Sequence, residues 1–220
     1  MKFEWTFAWN VLPELLMALR VTVFATVLGM ALAAVLGLVW TIARRGSVAP
    51  IALVARHIVE FVRSTPLLVQ LYFLFYVAPE FGLAMSPLAT GVLALGIHYS
   101  SYLSEVYRAG IDAVPKGQWE AARALNLCFA DTWRLVIIPQ ALPPVLPAMG
   151  NYLIAMFKDT PMLSAITVLE LLQTAKIAGA EHFRYLEPLT LVGVLFLALS
   201  LGSAACVRWG ERRLGVIRPR

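Results

Sequence analysis

Residues 117–139 read GQWEAARALNLCFADTWRLVIIP, and apolar segments lie on both sides of them. The stretch is polar, with a short helix-forming core and basic flanks. Reversing a chain between two helices takes only a handful of residues. A loop of this length therefore needs something to hold, and we read it as a docking element on one face of a bundle.

The remainder of the chain says what kind of bundle. It has 220 residues, 60% of them hydrophobic and 14% charged. A soluble domain carries about 25% charge. The missing charge makes lipid the solvent. The net charge of +5 then needs no nucleic-acid partner, because membrane proteins keep Lys and Arg in cytoplasmic loops. Two cysteines, Cys128 and Cys206, cannot build a disulfide framework. There is no repeat of 20–50 residues, and residues 1–220 read as one domain.

A helix crossing a core of about 30 Å needs roughly 20 apolar residues. Val21–Ala43, Ile58–Val77, Leu88–Val106 and Pro188–Val207 meet that length. A fifth segment, Leu135–Phe157, meets it only by tolerating Pro139, Pro143, Pro144 and Pro147. Interior prolines remove donors and clash with the preceding turn, so the spacing predicts a broken entry and a regular helix only from about Pro144. The fold class is all-α: a polytopic membrane protein with five transmembrane helices. Met162–Leu172 is too short to span and reads as a helix outside the bilayer or dipping into it.

Lys and Arg set the orientation. Arg44, Arg45, Arg56, Arg108, Lys116, Arg123, Arg134, Arg208, Arg212, Arg213, Arg218 and Arg220 fall on one side. Lys2, Arg20, Lys158, Lys176 and Arg184 fall on the other, and Arg63 lies within a span. Twelve against five puts the N-terminus outside and the C-terminus inside. The N-terminus lacks the pattern of a cleaved signal peptide. Its Phe3, Trp5, Phe7 and Trp9 read as an interfacial lead-in.

Residues 110–133 are then cytoplasmic. Pro115 suits a helix start, good helix formers follow to Leu125, and Asn126 can take the left-handed conformation that ends a helix. Ala121, Ala122 and Ala124 would let a partner approach the backbone closely. Glu120 sits near the helix start, where the dipole favours a carboxylate. Taken alone, this is also what an ordinary amphipathic surface helix looks like.

Polar groups inside spans are functional candidates. Glu60 and Arg63, three apart, fit either a structural ion pair or a gate. Thr65-Pro66 marks a kink at which the Thr hydroxyl can take up a freed carbonyl. His98, Tyr102 and Glu105 share one face of the third span. His98 fits a packed histidine as well as a pathway group. Interrupted helices line transporter cavities, which favours the fourth span. There Asn151 is central, and Tyr152, Met156 and Asp159 share a face. An aromatic face with a carboxylate suits an amidinium or ammonium group. A zwitterion needs a cation too, such as Lys158 or Arg63. Lys158 and Asp159 also fit an interfacial ion pair. Three histidines, His57, His98 and His182, give poor support for haem or metal ligation.

The loop resembles the EAA loop of ABC importer permeases: Glu120-Ala121-Ala122, then Val136 and Ile138-Pro139 at the family's spacing. The sequence Glu60-Phe61-Val62-Arg63-Ser64-Thr65-Pro66-Leu67-Leu68-Val69-Gln70 is similar to the second-helix signature of the polar amino-acid uptake subfamily. So are residues 105–111 (EVYRAGI), 114–118 (VPKGQ), 139–141 (PQA) and 158–160 (KDT). Two positions depart from the pattern: Asn126 replaces a loop glycine, and Pro161 stands where the family has Ser. These departures, with residues 163–171 (LSAITVLEL) and 184–189 (RYLEPL), resemble permeases assigned to ectoine and hydroxyectoine uptake.

The resemblance implies a permease in the bacterial inner membrane, with no catalytic residue and no cofactor of its own. Two permease subunits, this chain twice or with a homologue, would form the pathway above a dimer of ABC ATPases carrying ATP and Mg. Lys116–Asn126, with Lys116, Gly117, Gln118, Glu120, Ala121, Ala122 and Asn126 at the contact, would fit a groove on the ATPase. A solute-binding protein would deliver substrate outside. The chain has no G-x-x-x-x-G-K-[ST] phosphate loop, so hydrolysis belongs to another chain. The competing reading is a structural membrane subunit of an ion- or electron-translocating complex, motivated by Glu60, Arg63, His98 and Glu105. A stand-alone symporter leaves the cytoplasmic helix unexplained.

Overall fold

Lipid offers no partner to a backbone carbonyl, so apolar segments fold as helices that satisfy themselves. The computed structural model describes residues 2–213, and all regular structure among them is helical. α1 is Trp5–Arg45 and α2 is Ala49–Ser64. α3, Leu67–Tyr72, runs on through a π-helical turn (Phe73–Val77) and a 3-10 turn (Ala78–Phe81). α4 is Pro87–Asp112 and α5 is Lys116–Ala124. α6, Phe129–Asp131, passes through a π-helical turn (Thr132–Ile137) into α7, Ile138–Asp159, which ends in a 3-10 turn, Thr160–Ile166. α8 is Leu171–Glu181 and α9 is Leu186–Arg213.

α1 and α4 form the centre. Ala18, Thr22, Ala25, Gly29, Ala33, Gly37 and Thr41 recur every three or four residues on α1, and all are buried. Small residues let two backbones approach, which is how helices associate where the solvent is as apolar as leucine. A Cβ on Gly37 would stand 2.9 Å from Leu103 Cβ and 3.1 Å from the Ser100 carbonyl. Trp40 Nε1 donates to Ser100 Oγ at 3.1 Å, and Thr41 Oγ1 donates to the Ser104 carbonyl at 3.1 Å. The contacts advance together along both helices, so α1 and α4 run parallel, and α2 and α3 make the return. Leu67, Leu71, Met156 and Leu163 close the core around them.

Two described helices, α1 and α9, are long and apolar enough to cross a membrane alone. Counting each bent pair as one span, α2 with α3 and Phe129–Ile166 with α8, gives up to four. α4 is long enough at 26 residues, but His98, Tyr99, Ser100, Ser101, Tyr102 and Ser104 fill its middle and are turned inward.

Several expectations need correction. The aromatic lead-in is no separate segment: α1 starts at Trp5 and runs 41 residues without a break, through Pro13. Ile58–Val77 is no continuous helix: the chain bends by 104° at Thr65-Pro66, which puts Glu60 and Arg63 on α2 outside the following span. Proline disfavours a helical conformation in the residue before it. Thr65 Oγ1 donates to the Phe61 carbonyl at 2.8 Å, as expected. Gln70 Nε2 adds bonds to the carbonyls of Val62 (2.7 Å) and Thr65 (3.0 Å).

The prolines do not break α7, which is regular from Ile138. Pro139, Pro143 and Pro147 lie four apart along one stripe, and Pro144 stands one position off it. The wide π-helical turn before them takes up the steric demand of the first ring. Met162–Leu172 is not a helix either: a 3-10 turn ends at Thr167 (φ 62°), and the short helix begins at Leu171. Glu170 sets that start by accepting from the amides of Leu172 (2.9 Å) and Gln173 (2.7 Å). Within residues 110–133, α4 runs to Asp112, α5 takes Lys116–Ala124 and the chain turns helical again at Phe129.

Lys158 is no outer-loop residue. It precedes Asp159, which bonds Tyr99 in the middle of α4. Without it the expected count is twelve against four and keeps its sign. Arg218, Arg220 and the Arg213 side chain lie outside the described residues.

At the end of the molecule opposite α5, Arg184 pairs with Glu4 and Glu187 and donates to the Lys2 carbonyl at 3.2 Å. Glu187, 1% exposed, also accepts from the Glu4 amide at 3.0 Å.

This packing makes one prediction. Gly37→Val should lower the melting temperature and the monodisperse yield in detergent, whereas Gly193→Val, with nothing within 4 Å of an added Cβ, should not. Melting the two purified variants beside the parent checks this.

Candidate functional site

α4 and α7 bring their polar faces together halfway along α4. Tyr99 OH donates to Asp159 Oδ2 at 2.6 Å. The His98 and Tyr102 rings lie 5.3 Å apart, Tyr102 and Tyr152 5.5 Å, and Tyr99 and Tyr152 6.2 Å. His98 is 8% exposed, and its Nδ1 has no protein partner. Four aromatic rings thus wall a carboxylate that keeps acceptor capacity beyond its one tyrosine. Such a wall can take a cationic or amidinium group by charge and ring-face attraction.

The structure gathers His98, Tyr102, Tyr152 and Asp159, with Lys158 exposed beside them and Asn151 exposed one position before Tyr152. No ion pair joins Lys158 to Asp159 among the described residues. Met156 does not belong to the wall. It is 0% exposed and packs among α1 and α4, its sulfur 3.2 Å from where a Cβ on Gly29 would stand. Tyr99 went unread in the sequence. It lies three residues before Tyr102, so the signal was an aromatic pair at helical spacing.

Arg63 is elsewhere. Glu105 takes Arg44 at 2.8 Å, Arg108 at 2.7 Å and Arg63 at 3.8 Å, and Asp112 takes Arg45 at 2.5 Å and Arg108 at 3.2 Å. Arg63 therefore pairs across helices with Glu105, and no ion pair links it to Glu60. The cluster ties α1, α2 and α4 at the end that carries α5.

α5 follows Pro115, as expected, and Asn126 adopts φ 53°. The Leu127 amide returns to the Ala122 carbonyl at 3.1 Å and closes the helix. Beneath α5, Trp119 meets Trp133 edge to face at 5.5 Å, next to Val114, Ile137 and Ala141. This small core fixes which face is free. Ala122 is 2% exposed and holds α5 to its own chain, which corrects its assignment to a partner contact. Lys116, Gly117, Gln118, Glu120, Ala121 and Asn126 are exposed. Beside them opens a cleft of about 510 Å³ lined by Lys116, Trp119, Glu120, Arg123, Phe129 and Trp133.

Residues 25–216 match the family described as binding-protein-dependent transport system inner membrane component. A probable amino-acid ABC transporter permease of Sinorhizobium fredii is 49% identical over 205 residues, covering 93% of this chain and 89% of the relative. A glutamine transport system permease of Escherichia coli is 33% identical over 223 residues, covering 99% of this chain and all of the relative. A crystal structure of an amino acid ABC transporter with histidines superposes with a TM-score of 0.91 at 35% identity, over 97% of this chain and all of that one. An inward-facing methionine ABC transporter has the same fold at 19% identity (TM-score 0.68), over 98% of this chain and all of that one.

Proposed function

This chain belongs to the binding-protein-dependent transport system inner membrane components, and we propose that it is the permease subunit of an ABC importer for polar amino acids or a related zwitterion. Family membership displaces the structural-subunit reading. The observation that carries the proposal is the likeness to an amino-acid transporter over 97% of the chain. ATP is hydrolysed on the partner ATPase, and a solute-binding protein supplies the substrate.

In this reading residues 1–220 form one domain, with five crossings by α1, α3, α4, α7 and α9. The N-terminus is outside and α5 cytoplasmic, in keeping with the Lys and Arg count. Two such subunits, identical or homologous, enclose the pathway above two ATPases. The exposed face of α5, with Lys116, Gly117, Gln118, Glu120 and Ala121, enters a groove on the ATPase, and Asn126 keeps the helix end closed. Nucleotide and solute then bias two states of the pathway unequally.

The finer substrate reading is ectoine or hydroxyectoine. Both pair an amidinium with a carboxylate. Asp159 under the rings of Tyr99, Tyr102 and Tyr152 suits the amidinium, His98 offers a further polar contact, and exposed Lys158 supplies the opposite charge. Asn151 extends that face. Arg63 pairs with Glu105, one helical turn beyond Tyr102 on α4, and serves the cytoplasmic end. The resemblance of residues 163–171 and 184–189 to ectoine permeases supports the same substrate.

Uptake of labelled ectoine, glutamine, histidine and arginine into proteoliposomes holding the assembled transporter tests this. ATP-dependent accumulation identifies the solute, and its absence for all four removes the substrate reading. Glu120→Lys should abolish uptake or cut it at least tenfold while the permease still assembles in the membrane; unchanged uptake removes the coupling role. Asp159→Asn should weaken uptake roughly tenfold, the scale of one charge-assisted bond, with ATPase copurification unchanged. Loss of both together would make Asp159 structural.

A further inference from the structure

α2 carries an apolar stripe that the rest of the chain leaves open. Its buried side chains, Ala55 and Val59, face the bundle. Ile51, Val54, Ile58 and Phe61 recur at helical spacing along one flank beside them, with Val54 57% and Phe61 72% exposed. The other flank carries Arg56, Glu60 and, farther round, His57 and Ser64, all exposed. Leu53 is the one large apolar side chain among them. The helix thus has three sectors: one against protein, one open and apolar, one open and charged.

Its position fixes what the open sectors meet. α1 ends at Arg45, and α2 begins at Ala49. At the far end of α2, Arg63 reaches Glu105, the carboxylate that also holds Arg44. The 16 residues of α2 make a helix about 24 Å long, and both its ends are level with the last turn of α1. Because α1 crosses the membrane, α2 lies along the membrane surface rather than through it. The 104° bend that follows turns α3 from that surface into the bilayer. The Thr65 hydroxyl and both bonds from Gln70 hold the bend, so the chain itself sets the attitude of α2.

A helix lying in that plane, apolar on one flank and charged on the other, beds in the boundary between headgroups and acyl chains. Charge selects the lipid. Where α1, α2 and α4 meet, Arg44, Arg45, Arg56, Arg63 and Arg108 stand against Glu60, Glu105 and Asp112, five cations to three carboxylates. Glu105 and Asp112 take the other four arginines, and no ion pair holds Arg56 among the described residues. An uncommitted arginine beside the cytoplasmic leaflet meets the anionic phosphates of that leaflet.

We propose that α2 is an interfacial helix that docks this end of the permease on anionic phospholipid of the cytoplasmic leaflet, its stripe among the acyl chains and Arg56 on lipid phosphate. The proposal rests on the N-terminus-outside orientation adopted above, which its own readout isolates. Glu60→Cys in a Cys128→Ser, Cys206→Ser background should be shielded from a membrane-impermeant maleimide on spheroplasts and react in inverted vesicles. Reaction on intact spheroplasts overturns the orientation and the choice of leaflet with it. The lipid contact is read on the assembled transporter in proteoliposomes, with bimane on Val54→Cys, Phe61→Cys or Glu60→Cys in the same background. Phosphatidylcholine brominated near the top of its acyl chain should quench the first two labels, and more strongly than lipid brominated near the methyl end; aqueous iodide should quench the third. Absence of lipid quenching at the first two means that protein, a second copy included, covers the stripe, and overturns the proposal. Strongest quenching by the deep bromines overturns it as well, since α2 would then be immersed. Brominated phosphatidylglycerol should match the quenching by brominated phosphatidylcholine of the Val54→Cys label at about a fivefold lower mole fraction, the weight of one arginine at such a surface, and Arg56→Gln should remove that preference. Equal quenching by the two lipids overturns the anionic contact, and a preference that survives Arg56→Gln overturns the role of Arg56.

Discussion

Everything in this molecule hangs on the close approach of α1 and α4. In lipid, burying a leucine against another leucine gains little over leaving it among acyl chains, so dispersion and hydrogen bonds at short range must hold helices together. The stripe from Ala18 to Thr41 supplies the short range. The bonds from Trp40 and Thr41 to Ser100 and Ser104 supply direction, and Tyr107 OH adds one to the Ala34 carbonyl at 3.3 Å. α4 carries His98, Tyr99 and Tyr102 on the face left for α7, and its end carries Glu105 and Asp112. The aromatic wall, the arginine cluster and α5 are all positioned from one rigid pair.

What could be read in the sequence was local. Helix start, helix end and left-handed cap around α5 follow from Pro115 and Asn126 alone, because a cap is decided within a few residues. The Thr65 hydroxyl and its carbonyl are equally local. The faces were harder. Periodicity puts Tyr152, Met156 and Asp159 on one side of α7, yet Met156 is enclosed by α1 while Asp159 meets Tyr99. Ala122 is similar: small residues permit close approach, but Trp119 and Trp133 decide that the approach is to the chain's own core.

The other misses were long-range. Glu60 and Arg63 are neighbours in sequence, but Arg63 finds Glu105, 42 positions away, because the bend at Thr65-Pro66 turns α2 across the bundle. A hydropathy window averages across such a bend and reports one span. Lys158 looked peripheral because a charge ends an apolar run, yet Asp159 is placed by its tyrosine at mid-depth. Prolines taken singly predict breaks, whereas the wide turn ahead of Pro139 lets one helix start there and carry the others.

The same long-range closure bears on how the chain is made. Trp40 and its serine are 60 positions apart, and ribosomes add about 5–20 residues per second. For roughly 3–12 s, then, α1 sits in the translocon or the bilayer with its small-residue face and its Arg44 unanswered. The clasp at the start of α1 waits longer still, since Glu4 and Arg184 are 180 positions apart. The N-terminal turn is therefore secured only once the chain has reached the start of α9, and its attachment reports that α1 through α8 have been made.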